Sequence, residues 1–142
     1  MNTLTENQIG NIRKIPELVN WEWITQMYTL SEDFIREFQD MMDWGLITRN
    51  QKLSEDFIRE FQDKVDLWWI TRNYTLSEDF IREFKDKLDW NEISRSQKLS
   101  EDFIREFKDK VCWSWIWIFQ DVSHDLKREF NQGGYPVLLL NS

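Results

Sequence analysis

The sequence predicts an all-α chain, an α-solenoid of about five to six 23-residue helical hairpins with altered terminal caps. Three observations lead there. The nonapeptide LSEDFIREF occurs four times without a change, starting at Leu30, Leu53, Leu76 and Leu99, each 23 residues after the last. Within each copy the apolar residues recur with the period of a helix and do not alternate as in a strand. Ser, Glu and Asp stand where helices would begin, while Gly and Pro number only four and two among 142 residues.

With the repeat numbered from its Leu, positions 5, 6, 9 and 13 are apolar, as Phe57, Ile58, Phe61 and Val65 in the second copy. At about 100° per residue they fall within one arc, which predicts an amphipathic helix A. Ser54 precedes Glu55 and Asp56, a capping hydroxyl followed by carboxylates at the positive end of the helix. Leu53, just before the cap, is placed to pack on Ile58 as a hydrophobic staple. Glu55 with Arg59, and Glu60 with Lys64, stand as acid-then-base pairs at i,i+4 on the outer face.

After position 13 the pattern resets. Asp66 is the expected cap of a second helix, B, from Leu67 to about Tyr74. Its apolar members are positions 15, 18 and sometimes 22: Leu67, Ile70 and Tyr74 here, Trp44 and Ile47 in the first copy. The repeat is then a hairpin of a longer helix A and a shorter helix B. Such a hairpin cannot bury its apolar arc alone, so neighbours must stack.

Residues 1–29 read as a divergent N-terminal capping repeat, with about three extra residues between Thr5 and Val19. Residues 30–121 are the four central repeats, and 122–142 are a degenerate repeat, VSHDLKREF from Val122, followed by an apolar tail. In the last full copy, polar positions 19 to 21 become Trp117, Ile118 and Phe119. Gly133-Gly134 then breaks the helix, and the segment from Tyr135 to Leu140 is expected to fold back as a strap that seals this end. A homodimer seam or an interfacial membrane contact through the same apolar surface is the competing reading. No segment approaches about 18 apolar residues, so no membrane span is expected. No basic-then-apolar leader is visible, so an intracellular location is expected.

Composition narrows the chemistry. Acidic residues outnumber basic ones 26 to 18, for a net charge of −8, which argues against a nucleic-acid binder. One Cys and one His suffice neither for an internal disulfide nor for a structural zinc site. The sequence contains no GxGxxG, P-loop or CxxC, so no cofactor is expected and no metal. Asp33, Asp56, Asp79, Asp102 and Asp125 form one row and Glu37, Glu60, Glu83, Glu106 and Glu129 another, with Arg36, Arg59, Arg82, Arg105 and Arg128 between them. They read as a solvated, ion-paired outer face, because catalysis needs unlike environments to separate two pKa values. His124 reads as an exposed cap variant, and Cys112, in the Asp slot beside Trp113, as a buried thiol. No catalytic residue is expected.

The copies differ most at positions 16 (Glu22, Gly45, Trp68, Asn91, Ser114) and 17 (Trp23, Leu46, Trp69, Glu92, Trp115). Exposed aromatics clustered along one face are the material of protein-binding surfaces. Trp23, Leu46, Trp68, Trp69, Trp115 and Trp117 are therefore the candidate binding residues. The competing use of these Trp is filling gaps between adjacent B helices.

The LSEDFIREF phrase, followed by a D-W-x-x-I-[TS] segment, resembles the short helical-hairpin repeats of proteins from giant DNA viruses that infect amoebae. The likeness extends from about Asn20 to Phe130, departing at Leu67 in the Trp slot and Cys112 in the Asp slot. It implies a viral repeat protein and brings no activity or catalytic residue with it. The expected function is a non-enzymatic repeat scaffold that binds another protein or itself, as a host-interaction factor or virion component, in the host cytoplasm or the virion. The alternative is an acidic nucleic-acid mimic that occupies the basic site of a nucleic-acid-binding protein. The interleaved Arg row speaks against it, because mimicry wants uninterrupted negative charge.

Overall fold

The computed structural model describes residues 1–132, and over them the chain is an all-α repeat protein. The expected strap, Tyr135–Leu140, and its role in sealing or pairing lie outside the described residues. The chain divides into two compact units, Met1–Asp66 and Leu67–Ser142. The first holds α1 (Glu6–Lys14), α2 (Trp21–Met27), α3 (Glu32–Glu37), α4 (Trp44–Asn50) and α5 (Glu55–Glu60). One 3-10 turn, Pro16–Leu18, follows α1 and another, Gln39–Met41, follows α3. Two strands of two residues, β1 (Asn2–Thr3) and β2 (Tyr28–Thr29), pair in parallel beside them, which the sequence pattern does not announce. The second unit holds α6 (Leu67–Asn73), α7 (Glu78–Glu83), α8 (Trp90–Ser96), α9 (Glu101–Glu106), α10 (Trp113–Phe119) and α11 (His124–Gln132).

Helix A is the shorter of the pair, not the longer. It spans six residues against seven in helix B. Its start is as expected: the Ser54 hydroxyl accepts from Phe57 N–H at 3.1 Å. Its end is set by side chains that take the last carbonyls. The carboxamide of Gln39 donates to Arg36 O at 3.0 Å, and that of Gln62 to Arg59 O at 3.1 Å. The indole N–H of the Trp at position 15 then donates to the carbonyl five residues before it: Trp44 to Gln39 O, Trp90 to Lys85 O, Trp113 to Lys108 O. From Phe61 the chain turns, with the Lys64 and Val65 amides both returning to Phe61 O. Val65 therefore reaches the core from a turn and not from a helix. The i,i+4 pair of Glu60 and Lys64 does not form. Lys64 meets Gln39 Oε1 at 2.9 Å and Glu60 meets Arg36 at 2.8 Å, both one repeat back. In the divergent first repeat, α1 has nine residues, three more than α3, and Thr5 and Gln8 close a capping box at its start.

Repeats are joined by aromatic packing. The Trp of one repeat lies on the two Phe of the next: Trp44 is 4.8 Å from Phe61 and Trp90 is 4.9 Å from Phe107, ring centre to ring centre. Phe57, Phe80 and Phe103 are fully enclosed, as are Ile47, Ile70, Ile93 and Ile116 on the B helices. Burying a side chain of this size contributes about 1.5–3 kcal/mol, which makes this packing the main stabilising term. Each of these contacts needs the neighbouring repeat.

Buried polar groups then fix the register, at positions the periodicity treats as incidental. Position 22 carries Gln51, Gln97 and Gln120 in three copies. The Gln97 carboxamide accepts from Leu76 N–H and donates to Thr71 O and Tyr74 O in the preceding repeat, at 3% exposure. Gln51 does the same with Leu30, Thr25 and Tyr28, and Gln120 with Leu99, Ser94 and Gln97. Position 19 supplies a second fastening. Ser94 donates to Trp90 O at 2.7 Å and accepts from Cys112 N–H at 2.8 Å, and Thr48 stands likewise between Trp44 O and Asp66 N–H. In the last full copy no further helix B follows among the described residues, and the slot is Trp117.

A Gln97→Ala variant would leave one amide and two carbonyls buried without partners. Removing one partner of a buried hydrogen bond costs about 1–3 kcal/mol, so the expected loss is on the order of 3 kcal/mol in urea unfolding. Ser94→Ala is expected to lose about 1–2 kcal/mol by the same measurement.

Candidate functional site

Which side chains remain free for a partner follows from what repeat packing consumes. Helix A gives up nearly all its polar groups. Glu32 accepts from Ser54 N–H one repeat on, Glu78 from Ser100 and Glu101 from Ser123. Arg13, Arg36, Arg82 and Arg105 pair with Glu37, Glu60, Glu106 and Glu129, each 24 residues downstream, at 2.7–2.9 Å. The Asp row points outward at 91–97% side-chain exposure in Asp79, Asp33, Asp56 and Asp102, and each bonds the Arg three residues on. The carboxylate rows are thus interrupted by guanidinium groups and fastened between repeats.

These partners move proton affinities. The Arg13 guanidinium, by hydrogen bond and charge, holds the Glu37 carboxyl below its ordinary value of 4.5 against some desolvation. The Ser123 N–H and hydroxyl, helped by Arg105, lower Glu101 in the same way. Arg36, Arg82 and Arg105 are raised, chiefly by hydrogen bonds to Glu60, Glu106 and Glu129.

Helix B is different, because several of its outer positions keep large apolar side chains in solvent. In the second unit α6 packs on α8 and α8 on α10, forming a layer of B helices. Trp68 is 44% exposed on α6, with the Arg72 guanidinium 5.3 Å from its ring. Trp69 and Trp115 are half-buried, and Glu92 between them in repeat order is buried, paired with Arg95 at 3.8 Å. Trp115 lies 5.5 Å from Phe119, and the Arg95 guanidinium covers both rings at 5.6 and 5.9 Å. In the first unit Trp23 is half-exposed and meets Tyr28 edge-on at 5.5 Å, while Leu46 is half-buried on α4.

Trp117 leaves the candidate set. It occupies the slot that Thr or Ser fills elsewhere, on the buried side of helix B, and packs on Trp113 at 5.0 Å. Ile118 and Phe119, one and two residues further, turn outward at 44% and 51% exposure. The apolar run from Trp117 to Phe119 reads in the sequence as surface awaiting a cover, with Trp117 alone of the three among the candidate residues. The available signal was the repeat position: 19 faces inward in every copy, whereas 20 and 21 face out. Arg95 was missed too, although position 20 is Arg in three successive copies, as Arg49, Arg72 and Arg95. Of the remaining candidates for chemistry, His124 is exposed at the start of α11, and half-buried Cys112 precedes α10 without capping it by its side chain.

Among the described residues no group of three or more His, Cys, Asp or Glu is placed to hold a metal ion, and no helix is long and apolar enough to cross a membrane. No protein-family model, no curated protein and no solved structure matches the chain.

Because Glu37 and Glu101 bind their protons less readily when folded, their contribution to stability is full above 4.5 and is lost as the pH falls through the lowered values. We expect the melting temperature to drop as the pH falls below 4.5, and to drop less in a Glu37→Gln, Glu101→Gln double variant. An identical acid limb in both proteins would contradict this role.

Proposed function

We propose that the chain is a non-enzymatic repeat scaffold that binds another protein through the outward side of its B helices. The observation that carries this reading is a division of labour within the repeat. The nine invariant positions are occupied in capping helix A, pairing along it, filling the core and linking repeats, and the large side chains left outward, Trp68, Ile118 and Phe119, sit where the copies differ. Half-exposed aromatic and aliphatic groups beside Arg have the composition of interface anchors. Trp23 offers a smaller patch of the same kind in the first unit. The resemblance to repeats of giant DNA viruses supports a host-interaction or virion-associated role, in the cytoplasm of an infected amoeba or in the particle. The nucleic-acid mimic is the weaker reading, because each exposed Asp of the row is bonded to an Arg of its own helix.

The test is affinity capture from amoeba lysate with the wild type and a Trp68→Ser, Phe119→Ser double variant. Both sites are exposed, so the variant is expected to melt within about 1 kcal/mol of the wild type. A captured protein that survives high salt and is lost in the variant is the expected result. Equal capture by both, or salt-sensitive capture of nucleic-acid-binding proteins alone, would overturn the proposal.

A further inference from the structure

The end of the B-helix layer in the second unit carries a groove whose charge differs from that of the whole chain. Its volume is about 330 Å³, and it lies between the C-terminal ends of α8 and α10. Gln97, Leu99 and Gln120 line it, with Arg95, Lys98 and Phe119. Gln97 and Leu99 are buried, and the Gln97 and Gln120 carboxamides are already bonded to backbone groups of the repeats. A ligand is left with the other side chains. These are one exposed aromatic ring, Phe119, and two cations, Arg95 and Lys98, against a single acid, Asp121. Lys98 is exposed and has no acidic partner among the described residues. Arg95 covers Trp115 and Phe119 and stands 3.8 Å from the buried Glu92, with 42% of its side chain in solvent, so Lys98 is the cation of the groove with no acidic partner among the described residues.

In a chain of net charge −8, a groove lined by two cations, one of them unpaired, beside an exposed ring selects its partner by contrast with the remaining surface. We propose that this groove binds a short acidic segment of another protein that carries an apolar or aromatic side chain among its carboxylates. The apolar group would pack on Phe119, and the carboxylates would meet Lys98 and the exposed part of the Arg95 guanidinium. A nucleic acid fits less well, since it brings a charge at every nucleotide toward an acidic protein and only two cations wait for it. The inference rests on the protein-binding reading above and adds the chemistry of the partner.

The test is fluorescence anisotropy with a labelled short peptide, Leu-Phe at its centre and Asp or Glu elsewhere. Three probes accompany it: the Asn/Gln version, the Lys version and a single-stranded deoxyoligonucleotide. The acidic peptide is expected to bind best and to weaken as salt is raised. Lys98→Glu and Arg95→Gln should each weaken it by about tenfold, and Phe119→Ser by at least about tenfold, with melting unchanged in Lys98→Glu. Equal affinity for the acidic and Asn/Gln peptides, both lost in Phe119→Ser, would overturn the acidic assignment while leaving the protein-binding reading intact. Tighter binding of the oligonucleotide or the Lys peptide, no binding of any probe, or no effect of Lys98→Glu would each overturn the inference.

Discussion

Helices of six and seven residues do not persist alone in water, since nucleating a turn is costly and isolated helices are marginal below about 12–15 residues. In the four central repeats every helix A and every helix B is of that length, so each depends on what lies against it. The neighbour supplies three things at once: rings for the Trp and Phe to pack on, carbonyls for a buried carboxamide, and a guanidinium for a carboxylate. The 23-residue period is what brings all three into place together. An insertion of one residue would part the Gln at position 22 from its carbonyls while moving the Phe pair off the Trp.

This dependence explains why nine residues recur unchanged and why the rest do not. Leu is buried and its amide is taken by the Gln; Ser caps; Glu reaches the next Ser; Asp and Arg pair; Phe and Ile fill the core. None of these is spare. On helix B the inward positions are equally constrained, whereas positions 16, 17, 20 and 21 accept Gly45, Trp68, Glu92, Ile118 or Phe119. Variation there is tolerated by the fold and is therefore available to recognition. Burial of the apolar groups outweighs the exposed ion pairs in energy, but within each unit the pairs add a directional link from one helix A to the next.

Much of this was legible in the sequence, for definite reasons. The period, the caps at Ser54 and Asp89, the buried arc and the Trp slot follow from residue type and spacing. The length of helix A was not, because the arc 5, 6, 9, 13 fits a continuous helix as well as a helix followed by a turn that returns Val65 to the core. The Gln fastening was hidden because Gln51 and Gln97 share their slot with Tyr28 and Tyr74, which reads as a variable, half-apolar position. At the candidate surface, Trp23, Leu46, Trp68, Trp69 and Trp115 were found by copy-to-copy variation, and all retain some exposure. Trp117 was misassigned, and Ile118, Phe119 and Arg95 were passed over. An apolar run of seven residues does not by itself say which members face in.

The claim on which the rest stands is that the buried carboxamides of Gln51, Gln97 and Gln120 each tie their repeat to carbonyls of the one before. Residue-resolved amide hydrogen exchange tests it directly at Leu76 and Leu99, which belong to no helix and are bonded to Gln97 and Gln120. Both amides are expected to exchange as slowly as Phe80 and Ile104 within the neighbouring helices. Exchange at the rate of an open loop, with those helices still protected, would contradict the account.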